Sequence, residues 1–166
     1  MRYRAAVGLL AVLWAGFTSA AEDYPTRPIR MIIPFPAGGP ADFVGRLYAQ
    51  NLTDLWGHQV VTDNRQGASG IIGTELAVKA APDGYTLLFG TISTFVINGI
   101  LIRTLPYDVS RNLHLVALVA IAPYVLAVRA DLPARNVQEL IALATKQPGK
   151  LTFASSGPGT IVHMAG

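Results

Sequence analysis

Apolar residues fall along this chain in short runs separated by polar, glycine-bearing segments, and their periodicity changes from run to run. Ile29, Met31, Ile32 and Ile33 follow Pro28 as one compact apolar run, which predicts a buried strand over 29–33. Pro34-Phe35-Pro36-Ala37-Gly38-Gly39-Pro40 cannot sustain regular backbone hydrogen bonding and predicts a loop. Phe43, Val44, Leu47, Tyr48, Leu52 and Leu55 then recur at helical spacing. They predict an amphipathic helix packed through that face, with Gly57 as its C-terminal cap. The pattern repeats with a strand at 59–62, a loop at 64–70 and a helix at 72–80. Pro82-Asp83-Gly84 is a turn, because proline presets φ and glycine accepts φ > 0. A strand at 85–89, a polar loop at 90–94 and a short helix to about 102 follow. Two strands, 113–120 and 124–128, flank Pro123. Asn136 and Glu139 have capping-box spacing for a helix that ends near Lys146, before Gln147-Pro148-Gly149. A strand at 151–154, a loop at 155–160 and a helix from Ile161 complete the series, without internal repeats.

Alternating strands and helices predict an α/β fold with largely parallel pairing. Such sheets bind ligands beyond the carboxyl ends of their strands. Four candidate loops occupy that place, at 36–42, 67–73, 90–94 and 155–160. A glycine-rich loop entering a helix exposes backbone N–H groups at the positive end of the helix dipole, where an anion is stabilised. Hydroxyls at Ser69, Thr91, Ser93, Thr94, Ser155, Ser156 and Thr160 add donors without adding charge. For any one loop, glycines that merely shape a turn are the competing reading; recurrence after successive strands favours a shared anion pocket. The phosphate-loop motif is absent, and the dinucleotide motif fails because Val162 stands where the third glycine after Gly157 and Gly159 belongs. Carboxylate is the simplest remaining anion.

Asp42 opens the first helix, where it either complements the dipole or shapes the ligand loop. His163 is either an ordinary helix histidine or a donor behind the ligand. Arg65 either steers an anion or is a solvated surface charge. His58 and His114 have no ligand-like spacing, so no metal site is expected, and nothing calls for a cofactor. No nucleophile elbow occurs and the carboxylates are scattered, so no catalysis is expected.

Composition changes the picture at the N-terminus. Met1-Arg2-Tyr3-Arg4 is basic, 5–17 is an uncharged apolar run of 13 residues, and Thr18-Ser19-Ala20-Ala21 supplies small residues. That layout predicts an export signal over 1–21 and an exported mature chain. A membrane anchor is the competing reading, but the run falls short of the ~20 residues a span needs. Removing Arg2 and Arg4 from the 13 basic residues leaves 11 against 10 acidic ones, a near-neutral balance without a basic cluster for nucleic acid. There is no cysteine, which excludes disulfides and thiolate chemistry.

Several strings together resemble one family. Tyr24-Pro25-Thr26-Arg27-Pro28, Pro34-Phe35-Pro36-Ala37-Gly38-Gly39-Pro40-Ala41-Asp42, Asp63-Asn64-Arg65 and Gly67-Ala68-Ser69-Gly70 begin the series. Ala81-Pro82-Asp83-Gly84-Tyr85, Leu105-Pro106-Tyr107-Asp108 and Ala154-Ser155-Ser156-Gly157-Pro158-Gly159-Thr160 with His163 continue it. In this order they resemble the Bug receptors, the periplasmic binding proteins of tripartite tricarboxylate transporters. The resemblance implies a two-lobed, type II-like α/β fold that closes on its ligand like a Venus flytrap. It implies that Pro36, Ala37, Gly38, Gly39 and Asp42 face Ser155, Ser156, Gly157, Gly159, Thr160 and His163 across a cleft, with Gly90, Thr91, Thr94 and Asn98 lining it. A small carboxylate ligand and membrane transporter subunits are the implied partners of a monomer. A sensor ectodomain serving a membrane kinase would use the same cleft. Gly39-Pro40-Ala41 lacks a hydroxyl that many relatives carry there. Relatives are roughly twice as long, so the expectation is the N-terminal half of such a receptor. A first lobe would cover 22–122 and a second would begin at 123–166, and made alone this piece would be poorly soluble or bind nothing. Dicarboxylates, tricarboxylates, acidic amino acids, aromatic acids and amides all remain open as ligands.

Overall fold

A computed structural model describes residues 23–158 and 160–165. The predicted signal over 1–21 and the site residue Gly159 lie outside the described residues. The centre of the fold is strand β1, Ile29–Ile33. It is flanked by β2, Val60–Asn64, and β3, Thr86–Leu88, in the order β2-β1-β3, all parallel. A central parallel strand is covered on both faces, which explains why four of its five residues are apolar. Ile29, Met31 and Ile33 pack with Ala49, Leu52 and Val60 into the core, and Ile32 is fully buried on the other face. Each fully buried isoleucine contributes about 2 kcal/mol.

Helix α1, Pro40–Trp56, starts with proline in its first turn and stops at Gly57, whose left-handed backbone donates its N–H to the Thr53 carbonyl. Its packed face matches the expected one only in part: Leu52 is in the core and Tyr48 packs against it, but other expected positions face outward. Gly45, Ala49 and Leu52 are buried, whereas Phe43, Leu47 and Leu55 are exposed. The reason is proximity. A Cβ on Gly45 would lie 2.8 Å from Ile33 Cδ1, so small residues, not large ones, let this helix settle on the sheet.

Beyond β2, a tight turn at Ala68–Gly70 leads into helix α2, Ile71–Val78. After β3 the chain makes one turn of π-helix, Ser93–Ile97, and runs on as α3, Asn98–Leu101. The polar loop expected at 90–94 is thus shorter, with Ser93 and Thr94 already helical. A short helix α4, Val109–Asn112, opens on Asp108, whose carboxylate accepts from the Ser110 N–H at 2.9 Å.

The strands expected at 113–120, 124–128 and 151–154 do not form ladders. Their residues, among them Leu115, Val116, Leu118, Val125 and Phe153, are exposed. A strand is stabilised by its partner, and no described residue pairs with these segments. Helix α5, Val137–Lys146, and a final turn α6, Ile161–Met164, stand as expected. Asn136 caps α5 by accepting from the Glu139 N–H at 2.9 Å, and Glu139 reaches back to the Arg135 N–H at 2.7 Å. Asn136→Ala is expected to destabilise α5 by about 1 kcal/mol. Hydrogen exchange of its first-turn amides checks this.

Candidate functional site

Parallel strands place the loops that follow β1, β2 and β3 at one edge of the sheet. Loop one is Pro36-Ala37-Gly38-Gly39. Its conformation is dictated by Asp42, which is only 3% exposed. One carboxylate oxygen of Asp42 accepts from the Gly38 N–H at 2.8 Å and from Arg46 Nε at 2.9 Å; the other accepts from Asn64 Nδ2 at 2.8 Å. The Arg46 hydrogen bond, then the Gly38 N–H, outweigh burial and hold the Asp42 carboxyl down at about 2. The Gly39 N–H is also consumed, by the Pro36 carbonyl at 3.3 Å. Among the described residues, the N–H groups of Ala37, Ala41 and Asp42 have no partner in the protein. Two of these belong to the unpaired first turn of α1, which has no side-chain cap. Loop one therefore offers donors, but not from the two glycines the sequence highlights.

The Asp42 shift sets an acid dependence. Its folded pKa lies below the ordinary carboxylate value of 3.8. The stabilisation is therefore complete above pH ~4 and is lost as pH falls through 2. The contribution is roughly 2 kcal/mol at neutral pH. Asp42→Asn is expected to flatten the stability curve between pH 4 and 2 by that amount, read by acid titration of the unfolding midpoint in denaturant.

Loop two has four successive residues with positive φ: Gly67 at 132°, Ala68 at 46°, Ser69 at 53° and Gly70 at 89°. A left-handed backbone costs Ala68 and Ser69 about 1–2 kcal/mol each, so their surroundings must hold them. Ser69 Oγ donates to the Pro158 carbonyl at 2.6 Å, and the Ser69 carbonyl accepts from Asn98 Nδ2 at 3.1 Å. Gly70 fits because a Cβ there would meet Thr94 Cγ2 at 2.6 Å.

Loop three is closed by Thr94, whose buried hydroxyl accepts from the Thr91 N–H at 2.9 Å and donates to the Thr91 carbonyl at 2.8 Å. A Cβ on Gly90 would lie 2.5 Å from both Thr94 Oγ1 and the Phe95 ring. Ser93 Oγ accepts from the Ile161 N–H at 3.3 Å, which docks the start of α6 on this loop. Asn98 is fully buried, and its Oδ1 has no partner.

Loop four is knit largely to itself. Thr160 Oγ1 donates to the Gly157 carbonyl at 2.6 Å and accepts from Ser156 Oγ at 3.2 Å and from the His163 N–H at 3.3 Å. Ser155 Oγ lies 3.0 Å from His163 Nδ1 and accepts from the Gly157 N–H at 3.3 Å.

Loops two, three and four are thus joined directly, and loop one meets loop two where Pro34 packs on Gly70 and Gly73. Among the described residues no hydrogen bond links 36–42 to 155–160. Two side chains absent from the sequence-based site are central to it. Arg46 and Asn64 surround Asp42, and the spacing of Asp42 and Arg46, four apart on a helix, was the available signal. Arg65 pairs with Asp63 at 2.8 Å beside Arg30. Burial pushes the Asp63 carboxyl up, but the Arg30 and Arg65 hydrogen bonds outweigh it and leave it below the usual range. Among the described residues no set of three His, Asp or Glu side chains is placed to hold a metal, and no helix is long and apolar enough to cross a membrane.

The parallel strands set their glycine loops at one edge of the sheet, where the free N–H groups of Ala37, Ala41 and Asp42 are uncharged donors. Residues 44–166 match the model of the tripartite tricarboxylate transporter family receptor, and the chain belongs to that family. Protein BugT of Bordetella pertussis is 39% identical over 166 residues, covering 98% of this chain and 51% of BugT. A Rhodopseudomonas palustris protein solved with adipate, Rpa4515, superposes with a TM-score of 0.77 at 35% identity, over 82% of this chain and 46% of its own. MatC of the same organism, solved with bound malate, superposes at 0.68 and 30% identity, over 74% of this chain and 42% of its own. The chain spans about half the length of the curated relatives it matches.

Proposed function

We propose that the chain is the ligand-capturing portion of a periplasmic receptor that binds a small carboxylate and passes it to a tripartite tricarboxylate transporter. The observation that carries this is the set of free N–H groups at Ala37, Ala41 and Asp42, at the positive end of a 17-residue helix. Backbone donors there stabilise a carboxylate without a charged side chain touching it. Adipate and malate, held by the two solved relatives, are both small dicarboxylates, which supports the same ligand class here. In this reading 1–21 directs export, 22–122 belongs to one lobe and 123–166 begins the other. Loop four then supplies the far wall of the cleft, through Ser155, Ser156, Gly157, Gly159, Thr160 and His163. Gly90, Thr91, Thr94 and Asn98 form its floor. Closure is a population shift: ligand touches both lobes only when they meet. The receptor acts as a monomer and performs no chemistry on its ligand.

Calorimetric titration of the full-length product of its gene with malate and with adipate tests this. Saturable binding of at least one acid, recovered chemically unchanged, is expected. Recovery of a converted product, or no heat from either acid, would contradict it.

A further inference from the structure

We infer that Arg46 and Asn64 are positioning residues for ligand capture: they hold the Asp42 side chain against Gly38, so that the remaining N–H groups of loop one stay open for a carboxylate. This rests on the carboxylate reading above. Asp42 occupies the third position of α1, from which a carboxylate ordinarily folds back and caps nearby backbone N–H groups. A side chain doing so here would occupy the donors a ligand needs and place a negative charge among them. The structure shows it folded back onto one of them only, the Gly38 N–H, with Arg46 and Asn64 taking up the rest of its accepting capacity, so that the N–H groups of Ala37, Ala41 and Asp42 stay free. Its two oxygens are filled by Gly38, Arg46 and Asn64, at 2.8–2.9 Å.

Arg46 and Asn64 are themselves fixed. Arg46 spans from the helix to β2: Nε bonds Asp42, Nη1 bonds Thr62 Oγ1 at 2.9 Å and Nη2 bonds Asn64 Oδ1 at 2.7 Å. Asn64 uses its whole amide. Its oxygen accepts from Arg46, and its Nδ2 donates to Asp42 and to the Phe35 carbonyl at 3.1 Å. Turning the amide over would set oxygen against two acceptors, so one orientation is selected. Asn64 thereby ties the end of β2 to the start of loop one. The guanidinium supplies charge balance and a planar fork together, which lysine cannot reproduce. None of the three contacts involves a group that would have to touch ligand, so the pair acts through Asp42 and the loop.

The test compares the full-length product of the gene with its Arg46→Met, Arg46→Lys and Asn64→Leu forms. Two readouts are taken: hydrogen exchange at the Gly38 amide and calorimetric affinity for malate and adipate. Arg46→Met and Asn64→Leu are expected to speed Gly38 exchange at least tenfold, with β1 amides unchanged, and to raise Kd at least tenfold. Arg46→Lys keeps the charge but loses the fork, and is expected to raise Kd by less than Arg46→Met. Unchanged Gly38 exchange would overturn the inference. So would faster exchange with unaltered Kd, because the clamp would then be structural only. If Asn64→Leu does not fold, the Arg46 pair decides alone. Absence of binding by the unsubstituted protein would overturn the carboxylate reading itself; the exchange readout, which needs no ligand, then decides the clamp.

Discussion

Ala37→Asp is expected to weaken carboxylate binding at least a hundredfold while leaving the fold as stable as before. Ala37 is exposed and contributes nothing to the core. It lies just before α1, where an added negative charge is neutral or mildly favourable to the helix. The same charge would stand beside the free N–H groups of Ala37, Ala41 and Asp42. Two like charges about 4 Å apart near a protein surface repel by about 4 kcal/mol, and a hundredfold loss corresponds to about 2.7 kcal/mol. Fold and function should therefore separate. Calorimetry with the acid that the unsubstituted protein binds would show the loss, and thermal unfolding without ligand would show an unmoved midpoint. Equal affinities would mean that loop one does not receive the anion.

Gly73→Ala is expected to act in the opposite way, through the fold. A Cβ at Gly73 would lie 2.6 Å from the Arg65 carbonyl oxygen, 2.7 Å from Pro34 Cβ and 2.9 Å from Pro34 Cα. Two of these three atoms are backbone, so no side chain can swing aside. Pro34 leaves β1 and Arg65 leaves β2, and the clash would fall where loops one and two converge. Overpacking of this kind costs about 3 kcal/mol. Denaturant unfolding should show that loss, with carboxylate affinity falling as the two loops separate. A variant within 0.5 kcal/mol of the parent, roughly the size of an ordinary surface change, would show that α2 can shift away from the sheet.

These predictions draw on features of unequal visibility in the sequence. β1, the loop after it, and the left-handed Gly57 that ends α1 were all readable, because each depends on local chemistry: a short apolar run, three prolines, one glycine beyond a periodic segment. The packed face of α1 was readable only in part. Hydrophobic spacing selected Leu52 and Tyr48 correctly but also Phe43, Leu47 and Leu55, which are exposed, and it missed Gly45 and Ala49, since close approach depends on what the partner strand presents. The segments 113–120 and 124–128 carry the residue types of strands, but ladder formation depends on a partner distant in sequence, which no described residue supplies.

The candidate site divides in the same way. Glycine loops entering helices were legible as a source of N–H donors. Which donors remain free was not, because Gly38 and Gly39 spend theirs on Asp42 and Pro36. Asp42 itself was recognised as a residue that shapes the loop or complements the dipole. Its dependence on Arg46 and Asn64 needed the fold, which brings β2 beside the start of α1. The hydroxyls of Thr94 and Thr160 were expected as donors, and both close their own loops.

The most direct measurement is the amide spectrum of the isotopically labelled, full-length product of the gene, titrated with the dicarboxylate it binds. The N–H signals of Ala37, Ala41 and Asp42 are predicted to move together, downfield in the proton dimension and saturating with the calorimetric affinity, as each begins to donate to a carboxylate. Gly38, already bonded to Asp42, should move least within the loop. Binding that leaves Ala41 and Asp42 in place would contradict the account, because the anion would then lie elsewhere.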